Sequence, residues 1–215
     1  MKASLLTDKF IRAIDYARIA HAAHVRKGSN TPYIYHPLSV TCLIIEFGGN
    51  EDQAIAGVLH DVVEDCGGMH EHLIKAQFGS AVANIVMGCS DSTAEQKVRP
   101  DDARAMENEW LARKRSYLEH LRQAAAEVIL VSACDKLHNA RTIVQDLENP
   151  AMGLTVFKRF KGGTEGTLQY YQALSEIFDA ADTAPALQIR ITVTRMRELT
   201  RNLEAASKAA DSQAT

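Results

Sequence analysis

Apolar residues recur at helical spacing along almost the whole chain, and glycine pairs or polar turns cut that pattern into helix-sized lengths. The spacing predicts helices over Phe10–His24, from Pro37 to the stop at Gly48-Gly49, and from Asn50 to Cys66 before Gly67-Gly68. Shorter helices are predicted over His70–Gly79 and from Ala81 to Gly88. Longer ones are predicted over Glu109–Leu121, Ala124–Leu147, Leu168–Ala180 and Ala186–Ala206. Val98–Glu107 is polar and charge-rich and reads as a loop or polar helix. Lys161-Gly162-Gly163 and Glu165-Gly166-Thr167 read as a loop. Strand-type alternation is scarce, and five prolines are too few for a loop-rich β fold. The expectation is an all-α single domain over residues 1–206 with a frayed tail at 207–215.

Two faces are expected to pack inward. In the first helix they are Ile11, Ile14, Ala17 and Ile19; in the last, Leu187, Ile191, Met196, Leu199 and Leu203. The second stripe leaves room for a homo-oligomer contact.

The chain of 215 residues carries a formal charge of −3, which argues against a nucleic-acid surface while allowing a local basic patch for phosphates. No apolar run approaches a membrane span, and Met1–Lys9 lacks the apolar stretch of a signal peptide. Cys42, Cys66, Cys89 and Cys134 form no CxxC pair and read as reduced core or near-core thiols. These features predict a cytoplasmic protein.

Chemistry concentrates in Leu59-His60-Asp61-Val62-Val63-Glu64-Asp65-Cys66. On a continuous helix Ile55, Val58, Leu59, Val62 and Cys66 share one face, and His60, Asp61, Glu64 and Asp65 share the opposite arc. Three carboxylates at that spacing repel one another, and a divalent metal would reverse the problem. An exposed acidic helix face is the other reading. His36 precedes a helix start. Asp135 stands on an otherwise apolar helix, in one polar stripe with His138, Asn139 and Thr142. A buried Asp135 needs a metal or a cationic partner, Lys136 or Arg141, and the Lys136 version is weakened because neighbours i and i+1 do not face each other on a helix. Two imidazoles and two carboxylates suit Mn²⁺, Fe²⁺ or Zn²⁺ better than Ca²⁺. A site that keeps open positions favours the first two.

The order His36, His60-Asp61, Asp135 resembles the pattern of the HD superfamily of metal-dependent phosphohydrolases. Arg26-Lys27-Gly28 through Pro32-Tyr33 to His36-Pro37, then His60-Asp61-Val62-Val63-Glu64-Asp65, then Asp135-Lys136-Leu137-His138-Asn139-Ala140-Arg141, is similar to the hydrolase domain of the RelA/SpoT homologues. The chain resembles the small alarmone hydrolases of that family. The resemblance implies one Mn²⁺ held by His36, His60, Asp61 and Asp135, with Fe²⁺ or Zn²⁺ as substitutes. It implies Glu64 and Asp65 as the groups that orient and deprotonate water. It places Arg26 and Lys27 by the base and phosphates, Asn139 by the sugar, and Tyr170 or Tyr171 over the pocket. One or more of Arg104, Arg113, Lys114 and Arg115 would neutralise pyrophosphate, against a solvated basic face. Ser132, Cys134, Ser90-Asp91 and Ala112 depart from the family's usual residues and touch none of the implied ligands.

The expected activity is removal of the 3′-pyrophosphate from (p)ppGpp, and also (p)ppApp, to give GDP/GTP or ADP/ATP and pyrophosphate. The expected partner is a small nucleotide, with no nucleic acid or membrane. Two alternatives stand beside it: another HD-type nucleotide phosphohydrolase (a 5′-nucleotidase or phosphodiesterase), and a catalytically silent nucleotide-binding module.

Overall fold

A computed structural model describes residues 6–90 and 103–213. Among these are ten α-helices: α1 Asp8–Ala20, α2 Tyr35–Glu46, α3 Glu51–Leu59, α4 Val62–Cys66, α5 Met69–Phe78, α6 Ser80–Cys89, α7 Ala103–Arg122, α8 Ala126–Glu148, α9 Gly163–Ala180 and α10 Ala186–Gln213. A 3₁₀ turn, Gly153–Arg159, separates α8 from α9. The described residues hold no strand beyond an isolated bridge between Val25 and Pro32. No helix among them is long and apolar enough to cross a membrane. The chain is an all-α single domain, as expected.

The centre of the fold is α8, which packs against α10, α2, α3 and α6. Val131, Ala133, Cys134, Leu137 and Ala140 are fully buried along it. Asn50 opens α3 with a reciprocal cap: its side chain accepts from the Gln53 amide, and the Gln53 side chain accepts from the Asn50 amide, each at 2.9 Å. α3 lies so close to α2 that a β-carbon on Gly57 would run into Ile44 and reach the Thr41 hydroxyl at 3.3 Å.

Several boundaries differ from the sequence expectation. α2 begins at Tyr35, so Pro37 sits inside the first turn, where its missing N–H has no intrahelical acceptor to lose. Asn50–Cys66 is two helices rather than one, because the chain turns at His60-Asp61. The His60 Nδ1 reaches the Gly57 carbonyl at 2.8 Å, the acceptor that a continuing helix would offer to the next amide. The stretch Glu165-Gly166-Thr167, read as loop, belongs to α9. Its glycines serve packing: a β-carbon on Gly162 would collide with the Trp110 ring, and one on Gly166 would touch it at 3.4 Å. The first half of Val98–Glu107 lies outside the described residues, and the second half belongs to α7, which begins at Ala103. At the other end α10 runs on to Gln213, so helix continues well into the stretch expected to fray.

The inward faces also shift. In α1 Phe10, Ala13 and Ala17 are buried, while Ile11 and Ile19 are 62% and 59% exposed. In α10 Ile189, Val193 and Met196 carry the core face, and Leu187 and Ile191 point to solvent. In both helices the exposed apolar residues sit among charged ones, Asp15 and Arg18 in α1 and Arg190 and Arg195 in α10. Cys89 and Cys134 are buried and Cys66 is half-buried, but Cys42 is exposed. The tight α2–α3 contact sets one expectation. Gly57→Val should cost about 1–3 kcal/mol by overpacking against Ile44, read as a lower urea midpoint at unchanged slope. An unchanged midpoint would show that α2 and α3 part at little cost.

Candidate active site

Three separate elements deliver one cluster. His36 comes from the first turn of α2, His60 and Asp61 from the turn between α3 and α4, and Asp135 from the middle of α8. His36 Nε2 lies 3.1 Å from Asp135 Oδ1 and 3.4 Å from Asp61 Oδ2. His60 Nε2 lies 3.1 Å from Asp61 Oδ2 and 3.6 Å from Asp135 Oδ1. His36, His60 and Asp135 are all buried, and their ligand atoms lie within 4.8 Å of one another.

This donor set fits a divalent cation. With metal–ligand bonds of about 2.1 Å, adjacent ligand atoms stand about 3.0 Å apart on an octahedron and about 3.4 Å apart on a tetrahedron. His60 Nε2 is buried and makes no hydrogen bond within the protein. Its other nitrogen faces the Gly57 carbonyl, a contact that places the neutral ring's proton on Nδ1 and leaves the Nε2 lone pair for a metal. His36 Nδ1 is held by His138 Nδ1 at 2.8 Å, and Tyr33 donates its hydroxyl to Asp61 Oδ2 at 2.7 Å.

Charge balance without a cation is costly here. Burial opposes charge on the Asp61 carboxyl, but His60 and His36 hold it well below the usual carboxylate range. Burial likewise opposes charge on Asp135, and Lys136, followed by His36 and His60, pulls it well down. His60 is raised well above its ordinary value, as Asp61 and Asp135 outweigh its own burial. Contrary to the sequence expectation, Lys136 does pair with Asp135, at 2.5 Å. The lysine side chain is long enough to curl back from the next position. Asn139 donates to Asp135 Oδ1 at 2.6 Å and accepts from Arg26 at 2.9 Å, so Arg26, Asn139 and Asp135 form one hydrogen-bonded line.

That line enters a cavity of about 580 Å³. Arg26, Lys27, Lys114, Lys136 and Arg159 line it with one carboxylate, Asp146. Tyr35, Trp110, Phe160, Tyr170 and Tyr171 supply aromatic surface. The Tyr170 hydroxyl is buried without a hydrogen-bond partner. A net acidic chain has thus gathered its cations around one concave, aromatic-walled space, which suits an anionic ligand carrying a flat ring. The loop that brings Arg26 and Lys27 is closed by Arg26 N–H to Thr31 carbonyl and Tyr33 N–H to His24 carbonyl, each 2.9 Å. Gly28, at its tip with φ +83°, lies against the Arg159 guanidinium, which a β-carbon there would displace.

Of the residues expected at the site, the cluster gathers His36, His60, Asp61 and Asp135, and the cavity gathers Arg26, Lys27, Asn139, Tyr170 and Tyr171. Glu64 and Asp65 follow on α4, half-buried, and are not among the cavity-lining residues. Of the three basic candidates whose side chains are described, only Lys114 lines the cavity, with its Nζ 5.2 Å from the Tyr170 ring centroid. Arg113 pairs with Glu109, Arg115 is exposed, and the Arg104 side chain and Asp91 lie outside the described residues. Sequence reasoning missed Trp110, Lys136 and Arg159 as lining residues. The basic-aromatic run Lys158-Arg159-Phe160-Lys161 was the signal for the last of these.

The HD-domain profile matches residues 13–161. The chain belongs to the HD-domain family. Among curated relatives, the guanosine-3′,5′-bis(diphosphate) 3′-pyrophosphohydrolase MESH1 of Xenopus tropicalis is 34% identical over 136 residues, 62% of this chain and 68% of the relative. The probable GTP diphosphokinase RSH2 of Arabidopsis thaliana is 29% identical over 136 residues, 63% of this chain but 19% of the relative. The chain thus spans under a fifth of the length of that plant relative. A solved metazoan orthologue of SpoT, described as hydrolysing ppGpp, shares the fold at a TM-score of 0.60 and 22% identity, over 95% of this chain and 98% of its own.

His138 gives the site a pH signature. Burial, then His36, Arg26 and Arg141, push its pKa down to about 4, against the upward pull of Asp135. The unfolded imidazole takes a proton below about pH 6.5, so between that value and about 4 the unfolded state binds more protons. The stability this neutral ring contributes is complete above the unfolded value and is lost as pH falls through the window. In metal-free protein, the stability of the parent minus that of His138→Asn should therefore fall by about 1–3 kcal/mol between pH 7 and pH 4.5 in urea unfolding. A difference that does not change with pH would remove this account.

Proposed function

We propose that the chain removes the 3′-pyrophosphate from guanosine or adenosine alarmones, (p)ppGpp or (p)ppApp, releasing GDP/GTP or ADP/ATP and pyrophosphate. The observation that carries this reading is the bonded line from the His-Asp cluster through Asp135 and Asn139 to Arg26 in a cation-rich, aromatic cavity. It puts a divalent-metal cluster beside a space fitted to a small, highly phosphorylated nucleoside. The names of the relatives point the same way.

His36, His60, Asp61 and Asp135 would hold one Mn²⁺, with Fe²⁺ or Zn²⁺ as substitutes. The cation would act as a Lewis acid toward phosphate and make water more acidic at the site. Glu64 or Asp65, one helical turn beyond His60-Asp61, takes a proton from the attacking water. The water oxygen joins the phosphorus bonded to the 3′ oxygen, that P–O bond breaks, and a proton ends on the 3′ oxygen. Lys27, Lys136 and Arg159 neutralise the departing pyrophosphate, and Arg26 and Asn139 orient the nucleoside. Tyr170 and Trp110 offer faces to the base. An in-line displacement needs the attacking and leaving oxygens apart, which suits a carboxylate pair set outside the cavity lining. The substrate is a small molecule because the cations line a cavity rather than an open face, and the free cysteines suit a reducing cytoplasm.

Pyrophosphate release from the 3′-pyrophosphorylated guanosine and adenosine nucleotides, with Mn²⁺ or with EDTA, tests the reading. Release should need the metal, and the two rates would rank the bases. Orthophosphate from a 5′-monophosphate instead would move the chain to the nucleotidase reading. Glu64→Gln should keep bound metal and lose about 10²–10⁴ in turnover. Asp135→Ala should instead lose the metal, and stoichiometric Mn²⁺ retained in that variant would show that Asp135 is no ligand.

A further inference from the structure

A second group of metal-ligating side chains lies outside the cluster just described. His21 caps the C-terminal end of α1, His24 ends the turn that follows, and Cys66 is the last residue of α4. Their ligand atoms lie within 4.8 Å of one another. His21 Nδ1 is 3.1 Å from His24 Nδ1 and 3.6 Å from Cys66 Sγ. A tetrahedral zinc ion, with Zn–N of about 2.05 Å and Zn–S of about 2.3 Å, requires its N···N edge near 3.3 Å and its N···S edge near 3.6 Å. The two edges from His21 Nδ1 lie close to those values, and the third lies within 4.8 Å.

The Cys66 thiol donates to the Ala20 carbonyl at 3.4 Å, and its sulfur also faces His21 Nδ1. His21 is 2% exposed, so the Nδ1 that faces both neighbours is shielded from solvent. We propose that His21, His24 and Cys66 form a second metal site for a borderline-soft divalent ion of the zinc type, with a water at the fourth position. Binding replaces the Cys66 S–H bond by an S–metal bond and releases that proton to solvent. The ion would tie the end of α1 to the end of α4, across 45 residues of sequence. It would also fix the His21 ring, which stacks on Tyr33 with centroids 4.8 Å apart, the same tyrosine that donates to Asp61 at 2.7 Å.

Cobalt(II) is the probe, because a thiolate ligand gives it a charge-transfer absorption that imidazole and carboxylate ligands do not. The titration uses the full chain carrying Asp135→Ala, so that the first cluster is disabled, with Cys42→Ser as control for the exposed thiol. One equivalent of Co²⁺ should bind with the thiolate band, and Zn²⁺ should displace it. Adding Cys66→Ser should abolish the band, and adding His24→Gln should weaken Co²⁺ binding at least tenfold, with helical circular dichroism retained. Co²⁺ binding without a thiolate band would overturn the proposal. So would a band that survives Cys66→Ser but disappears with Cys42→Ser. If Cys66→Ser fails to fold, an unchanged Co²⁺ affinity in His24→Gln overturns it equally.

Discussion

A carboxylate in the middle of an apolar helix governs how this molecule is arranged. Asp135 is 5% exposed on α8, the helix against which α2, α3, α6 and α10 all pack. An unpaired charge there would cost several kcal/mol, so the fold must bring cationic or metal partners to it. It does so from three directions. α2 contributes His36, the α3–α4 turn contributes His60, and Lys136 returns along α8 itself. The short reach from α3 to α2 across Gly57 lets His36 and His60 approach one carboxylate together, with ring centroids 5.2 Å apart. The core packing and the cluster are therefore one problem with one solution.

The positive cavity is built on the same economy of side chains. Arg159 pairs with Asp146 at 2.6 Å, and its guanidinium also fills the space that a side chain on Gly28 would occupy. Lys27 donates to the Arg159 carbonyl, which ties the Arg26-Lys27 loop to the 3₁₀ turn after α8. Burial and the neighbouring Lys161 and Arg159 lower the Lys27 pKa, so an anion entering the cavity relieves repulsion already present among the cations. Trp110 bridges α7 to the start of α9 over Gly162 and Gly166, which sets the far wall and positions Tyr170 against it at 6.2 Å.

The helices and the cluster were legible in the sequence for different reasons. Helical period and glycine stops are local, and they placed most elements within a few residues. Asp135 was legible because a polar group on an apolar helix has few physical explanations, and His36, His60 and Asp61 joined it through the resemblance to the HD superfamily. The inward face of α1 was less legible. Ile11 and Ile19 share their side of α1 with Asp15 and Arg18, which pair at 2.7 Å, and the small residues Ala13 and Ala17 carry the packing with Phe10. Lys136 was discounted by a rule about backbone spacing, whereas a long, flexible side chain reaches past that spacing. Arg159 and Trp110 could not be placed, since the cavity joins segments more than 100 residues apart in sequence, such as Arg26 and Asn139.

The turn at His60-Asp61 resolves the difficulty posed by a continuous acidic helix. On one straight helix His60, Asp61, Glu64 and Asp65 would crowd a single arc and repel. The turn lets Asp61 face two imidazoles and the Tyr33 hydroxyl, while Glu64 and Asp65 start a new helix away from the cavity lining. Asp65 acts instead on the side of Tyr33, His21 and Cys66, where its charge favours protonation of each. The backbone break therefore sorts the carboxylates by role. Asp61 is neutralised within the cluster, and Glu64 and Asp65 stand on the helix that follows. Removal of the His60 contact to the Gly57 carbonyl would weaken that sorting at its source, because the same bond shapes the turn and aims the imidazole.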